Sequence, residues 1–305
     1  NGKGFAQIKR NEMTTSIADT RINLLPNEAI IELFQQCFEE DGLLIGDFTS
    51  ESIISVDAML TCEISLREAG VIAGLDLLPI GISLIDDVEL ELLTEDGTFC
   101  EPSTVAVVSG NQRSILAFER TMLNILGHAS GIASRTRQFV ELVAGTGCKI
   151  CDTRKTTPTL RLLDKYAVAC GGGTLHRLGL HDAVLYKDNH LAALQDIREE
   201  LATAITTVRE KDIAFVEVEV DTLEQFGEVV ELDVDIVLLD NMSIEMMQEA
   251  VAIRNASSHS PLLEASGGVN AKTVRSIAET GVDRIAIGGL THQAKWLDVG
   301  LDVRQ

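Results

Sequence analysis

The chain of 305 residues is poor in positive charge, with 25 Lys and Arg against 47 Asp and Glu and a formal net charge of −22. A field of that sign repels phosphate backbones and anionic lipid, which argues against nucleic acid and membrane surfaces as partners. Proline is scarce, at 5 residues, while 45% of the chain is hydrophobic, so a sizeable core is expected and long disordered stretches are not. Six cysteines are thinly spread between Cys37 and Cys170, far from the density of a disulfide scaffold, and fit a reducing, cytoplasmic compartment. Long apolar runs are missing as well. The greasiest stretch, Val71 to Ile85, is interrupted by Asp76, Pro79 and glycines and stays short of the roughly 18 residues that a membrane helix needs. The expectation is a soluble, unexported globular chain of one or two domains.

Several signatures are also missing. There is no G-x-S-x-G, no H-E-x-x-H, no Walker loop and no G-x-G-x-x-G, which removes support for serine hydrolase, zincin, P-loop and Rossmann dehydrogenase readings. Cys148 and Cys151 form one C-x-x-C, but no second Cys or His pair is spaced to complete a zinc site.

Two kinds of local pattern are present. Pro26-Asn27 opens a helical segment to about Glu40, closed by Asp41-Gly42. Runs rich in Val, Ile and Leu near Ile53–Cys62, Gly81–Ile85, Val88–Leu93 and Thr104–Ser109 then suggest strands in an α+β domain. Ser114 to Val143 reads as two helices broken near Gly127 to Gly131. Beyond it six short strand candidates alternate with helical segments: Lys149–Asp152, Ala183–Lys187, Phe215–Val220, Ile236–Asp240, Leu262–Ala265 and Arg284–Ile287. Such βα units imply a parallel sheet, either closed into a barrel or open with helices on both faces.

The strand ends carry the chemistry. In order they read Asp152-Thr153-Arg154-Lys155, Lys187-Asp188-Asn189-His190, Glu217 and Glu219, Asp240-Asn241, Ser266-Gly267-Gly268 and Gly288-Gly289, and in α/β barrels catalysis gathers at that end. From Lys149 to His190 seven Lys or Arg face four Asp or Glu, a local excess of positive charge in an acidic chain. Arg154, Lys155, Arg161, Lys165, His176, Arg177 and Lys187 could together bind a small polyanion; for Arg161 and Lys165, four apart on a helix, surface ion pairing is the plain alternative. Glycine pairs at the last two strand ends fit a phosphate site or simple turns. Glu219 and Asp240, ending consecutive strands, suit hydrated Mg²⁺ or ribose hydroxyls.

These segments resemble the quinolinate phosphoribosyltransferase family. The likeness rests on DTRKTTP at 152–158, GGG with HRLGL at 171–180, KDNH at 187–190, EVEVDTLEQ at 217–225, LLDNM at 238–242, EASGGV at 264–269 and IGGLTH at 287–292. GDFTSE at 46–51 and ERTMLN at 119–124 extend it over nearly the whole chain from about residue 24. It implies an N-terminal α/β sandwich domain over 13–120, joined by 294–305, and an open six-stranded α/β barrel over 121–293.

The implied reaction is phosphoribosyl transfer from phosphoribosyl pyrophosphate to quinolinate with loss of CO₂, giving nicotinate mononucleotide in NAD biosynthesis. Mg²⁺ is the implied cofactor and a homodimer the implied assembly, with Arg120 entering the partner site. Thr153, Arg154, His176 and Arg177 would join Arg120 around quinolinate. Lys155 and Lys187 would neutralise the donor, Glu219 and Asp240 would hold ribose hydroxyls and the metal, and Ser266, Gly267, Gly268, Gly288, Gly289 and His292 would cradle the 5′-phosphate. Thr159 departs from the family pattern, which usually has Gly there, as do Leu175, Tyr186 and Gly127-His128-Ala129. The nearest alternatives are a paralogue associated with molybdenum transport, which lacks a clean KDNH, and nicotinate phosphoribosyltransferase, which needs only one carboxylate site. A non-catalytic sensor of a pyridine acid is a third.

Overall fold

The computed structural model describes residues 24–43 and 45–304. Residues 13–23 of the expected first domain lie outside that range, as do residues 1–12, Leu44 and Gln305. The chain forms two compact units. Of the described residues, one contains Gln138–Thr156 and Gly173–Gly289; the other contains those from 24 to 137, Thr157–Gly172 and those from Leu290 onward. This partition places residues 121–137, 157–172 and 290–293 in the unit of the N-terminal sheet, whereas the expected barrel span of 121–293 includes them. Among the described residues no helix is long and apolar enough to cross a membrane.

With strands numbered in chain order, the unit that begins the chain is built on β1 (Met59–Leu66), β3 (Val88–Leu92), β5 (Thr104–Asn111) and β12 (Val299–Val303), in the antiparallel order β12-β1-β5-β3. A small ladder pairs β2 (Gly70–Val71) with β4 (Phe99–Cys100). The helix Asn27–Glu40 contributes Phe34, fully buried, whose ring lies 5.7 Å from that of Phe118.

Three stretches differ from the sequence expectation. Gly81–Ile85 is not a strand but the end of a short helix, Leu78–Ile82, and the turn after it; Pro79 in its first turn needs no N–H partner and starts the helix. The start of the expected Ile53–Cys62 strand is likewise helical: Phe48–Ile53 forms a helix whose first amides, Thr49 and Ser50, donate to the Asp47 carboxylate. The expected pair of helices is one continuous helix, Gln112–Leu142. Its glycines serve packing. A Cβ on Gly131 would lie 2.1 Å from the Lys295 carbonyl oxygen, and one on Gly127 would lie 3.0 Å from that of Leu297, so the bare helix face seats the 295–297 segment and tolerates a propensity loss of about 1 kcal/mol per glycine.

The other unit holds six parallel strands: β6 (Lys149–Cys151), β7 (Val184–Tyr186), β8 (Val216–Val220), β9 (Ile236–Asp240), β10 (Leu262–Ser266) and β11 (Arg284–Ala286). Their order is β6-β11-β10-β9-β8-β7, so each connection runs to a parallel neighbour except at β6 and β7, where the sheet is open. The connecting helices begin where the sequence supplies caps. Asp196 accepts from the Glu199 amide, Thr222 forms a capping box with Gln225, and Ser243 accepts from the Met246 amide. Every residue of β8, VEVEV, is buried, the pattern of a strand covered on both faces.

Candidate active site

Parallel partners project from the same sheet face, as do residues two apart on one strand. Glu219 is paired with Leu238, Leu238 with Glu264, Glu264 with Arg284, and Arg284 with Lys149. One face therefore carries Cys151, Glu217, Glu219, Asp240, Glu264, Ser266 and Arg284, while Val218, Val237, Leu239, Leu263 and Ile285 take the other. The six-stranded sheet is apolar on one side and ionisable on the side where the expected site residues fall.

Deep on this face lies a closed charge cluster. Arg284 Nε is 2.6 Å from Glu264 Oε2, and its NH2 group donates to Cys151 Sγ at 2.8 Å. His176 Nε2 is 2.8 Å from Glu217 Oε2 and 3.6 Å from Glu264 Oε1. These contacts are close but poorly aligned, and none of the four carboxylate oxygens has a hydrogen bond of good geometry. Burial, opposed mainly by Arg284, raises the pKa of both Glu217 and Glu264 from the ordinary 4.5 to about 7. The His176, Glu217 and Glu264 donor atoms lie within 4.8 Å of one another, a spacing a metal ion could use, but Arg284 already brings a positive charge against Glu264.

At the C-terminal strand ends the same face becomes a polar rim. Lys187 Nζ donates to Glu219 Oε2 at 2.7 Å. Asn241 donates its side-chain amide to Asp240 Oδ2 at 2.6 Å and its backbone amide to the Ser266 carbonyl at 2.9 Å, with φ at +53°. Gly267 meets it from the next strand end: its φ is +91°, and a Cβ there would lie 2.1 Å from Asn241 Oδ1. Only glycine fits this position. Gly288 and Gly289 follow β11, and Gly289 starts a single helical turn to His292.

Two of the expected site arginines, Arg154 and Arg177, belong to this unit. Arg177 NH1 donates to the Ala183 carbonyl at 3.2 Å, and its buried Nε has no hydrogen-bond partner among the described residues. Arg154 Nε is buried and unpartnered too. Burial and then the Arg154 charge hold the Arg177 pKa below its ordinary value, with Glu217 and Asp182 opposing. Thr153 Oγ1 accepts from the Lys155 amide at 3.0 Å and shapes the turn that leaves Lys155 exposed.

Arg120 and His292, both exposed, fall in the other compact unit. Lys165 is there as well, fully buried in the helix Arg161–Cys170, so surface ion pairing does not describe it. Glu264 and Arg284 are participants that sequence reasoning left unassigned. Their signal was an ionisable residue inside an otherwise apolar strand, two positions before Ser266 in one case.

A parallel α/β sheet that gathers buried arginines, a lysine–carboxylate pair and a glycine turn at its C-terminal ends defines a barrel-type enzyme suited to small polyanions. Residues 47–130 match the family model for the quinolinate phosphoribosyl transferase N-terminal domain and residues 132–302 that for its C-terminal domain. The chain belongs to the quinolinate phosphoribosyl transferase family. It is 38% identical to the carboxylating nicotinate-nucleotide pyrophosphorylase of Mycobacterium leprae over 90% of this chain and 98% of that one. It is 40% identical to a probable enzyme of the same name from Synechocystis, covering 92% and 94%. The solved nicotinate-nucleotide pyrophosphorylase of Francisella tularensis superposes with a TM-score of 0.83 at 35% identity, over 92% of this chain and 97% of that one.

Proposed function

We propose that this chain transfers the phosphoribosyl group of phosphoribosyl pyrophosphate to the ring nitrogen of quinolinate and releases CO₂, pyrophosphate and nicotinate mononucleotide. The observation that carries the reading is the pair of buried guanidinium nitrogens, Arg154 Nε and Arg177 Nε, which have no hydrogen-bond partner among the described residues. A buried unmatched charged donor is expensive, and a carboxylate is the group that matches a guanidinium fork. Two such donors fit a diacid.

The remaining residues divide the work. Lys155 and Lys187 offset the repulsion between a dianionic acceptor and a polyanionic donor, which otherwise keeps the ring nitrogen from C1′. As N–C1′ forms, the bond from C1′ to the pyrophosphate oxygen breaks and that oxygen leaves with the electron pair. As CO₂ departs, the electron pair of the C2–carboxylate bond stays on C2, stabilised by the adjacent pyridinium charge, and C2 takes a proton. Ser266 to Gly268 and Gly288-Gly289 would present main-chain donors for the 5′-phosphate, and the family resemblance adds His292 to that set.

Glu219 and Asp240 share a face on adjacent strands and offer two carboxylates, the number that Mg²⁺ uses when it keeps several waters and substrate oxygens. Lys187 already engages one oxygen of Glu219, so the donor set fits a hydrated ion better than a stripped one. When bound, Mg²⁺ supplies charge neutralisation for the pyrophosphate.

Assembly and compartment are part of the same proposal. A homodimer would bring the exposed Arg120 to the partner's quinolinate, and the exposed apolar side chains of Phe48, Ile53, Val56 and Met59 provide surface for an interface. All six cysteines are free thiols, in keeping with a reducing compartment such as the cytoplasm.

Product analysis tests the reading. The protein is incubated with phosphoribosyl pyrophosphate and Mg²⁺ plus either quinolinate or nicotinate. Nicotinate mononucleotide with one equivalent of CO₂, from quinolinate alone, is the expected result. Turnover of nicotinate instead, or no product from either acid, overturns it.

A further inference from the structure

His176 stands apart among the residues expected around quinolinate, because neither of its ring nitrogens is free. The Arg177 amide donates to His176 Nδ1 at 2.8 Å. An amide can only donate, so Nδ1 carries no proton and the ring proton sits on Nε2. Nε2 in turn faces Glu217 at 2.8 Å, with Glu264 behind it. The ring is edge-on to Phe215, with centroids 5.7 Å apart. The His176 backbone is fixed too, since its amide donates to the buried Asp152 carboxylate at 2.6 Å. The residue is 7% exposed.

We propose that His176 is a positioning residue and not a direct substrate ligand: clamped between the Glu217–Glu264 pair and the Arg177 amide, its imidazole sets where the Arg177 guanidinium points. With NH1 tied to the Ala183 carbonyl, fixing the Arg177 backbone amide leaves the side chain little freedom. Its unpartnered Nε is then held ready for a carboxylate before the acid arrives. The inference rests on the reading that Arg177 receives a quinolinate carboxylate. Glu217 acts one step further back: its carboxylate, 2.8 Å from Nε2, favours a proton there and so the tautomer whose Nδ1 can accept from the main chain.

Side-chain geometry separates the two roles. In His176→Asn the amide oxygen falls near the place of Nδ1 and can still accept from Arg177, while the Glu217 contact is lost. In His176→Gln the amide reaches the place of Nε2 and the Arg177 acceptor is lost. The measurement is kcat and KM for quinolinate in wild type, both His176 variants, Arg177→Met and the His176→Gln/Arg177→Met double variant, with melting curves to verify folding.

Arg177→Met is expected to lower kcat/KM for quinolinate on the order of 100-fold, the cost of truncating a buried charge partner. His176→Gln should lose on the order of tenfold and His176→Asn less than about threefold. The double variant should be no worse than Arg177→Met within about twofold, the non-additivity of a residue that acts through another. Gln outperforming Asn, or losses that multiply in the double variant, would overturn the proposal while the functional reading stands. Wild-type protein that does not turn over quinolinate would overturn both.

Discussion

Two layers of one sheet face use the same residue types for different tasks. The deep layer, Glu217, Glu264, Arg284 and His176, is buried, and its charges pair closely with one another. The rim layer, Lys187, Glu219, Asp240 and Ser266, begins two residues further along the strands; Lys187 keeps nearly half of its side chain exposed. Depth alone separates them. A carboxylate below is part of the buried cluster around Arg284, whereas Glu219 above pairs with a half-exposed lysine.

Breaking each layer in turn gives distinct outcomes. The largest effect is expected from Glu264→Ala, which leaves Arg284 buried without its 2.6 Å partner; removing one side of a buried pair costs about 3–5 kcal/mol, read as a lower denaturation midpoint. Glu219→Ala should cost less than about 1 kcal/mol, because the half-exposed Lys187 returns to water, while activity collapses. A Glu219 variant as unstable as the Glu264 one would erase the distinction between the layers.

Lys187→Ala, a rim change, is next. Turnover should fall on the order of 10²–10³-fold with the melting curve unchanged, the scale for deleting a preorganised charge at a reacting centre. Near-normal turnover removes Lys187 from the mechanism.

The deep layer also has a pH signature. A carboxyl whose pKa is raised on folding binds its proton more tightly in the native state, so stability drops as pH rises from 4.5, the ordinary value, through about 7, the value in the folded protein. Glu264→Gln keeps an acceptor for Arg284 and removes one titration, so the decline across that window should shrink by about 1 kcal/mol or more. An unchanged slope in chemical denaturation from pH 4.5 to 7 contradicts the assignment.

The smallest effect lies away from both layers. Thr159 has φ at +70°, a region that β-branched residues avoid. Thr159→Gly should stabilise the protein by about 1 kcal/mol, the relief of left-handed strain less the entropy cost of glycine. A lower melting temperature argues against strain at this turn.

Much of this organisation was legible before any coordinates. The six parallel strands are found where apolar runs ended in polar or glycine residues, and Asp240, Gly267 and Lys187 lie at those ends. The buried layer was not legible, because Glu264 and Arg284 become partners only through the β10–β11 register, which no local pattern specifies. The uninterrupted Gln112–Leu142 helix is hidden in the sequence for a similar reason. Gly127 and Gly131 look like a break until the 295–297 segment is seen against them.

That same late segment leads into β12, which pairs antiparallel with β1 from Leu66↔Val299 to Cys62↔Val303. During synthesis β1 leaves the ribosome early, and its outer edge waits until the whole parallel sheet has been made. For that interval the nascent chain displays an open ladder of amides and carbonyls, a template for other strands. A nonsense mutation shortly before Val299 would make that interval permanent, so the shortened product should accumulate as aggregate even though every residue of both layers is intact.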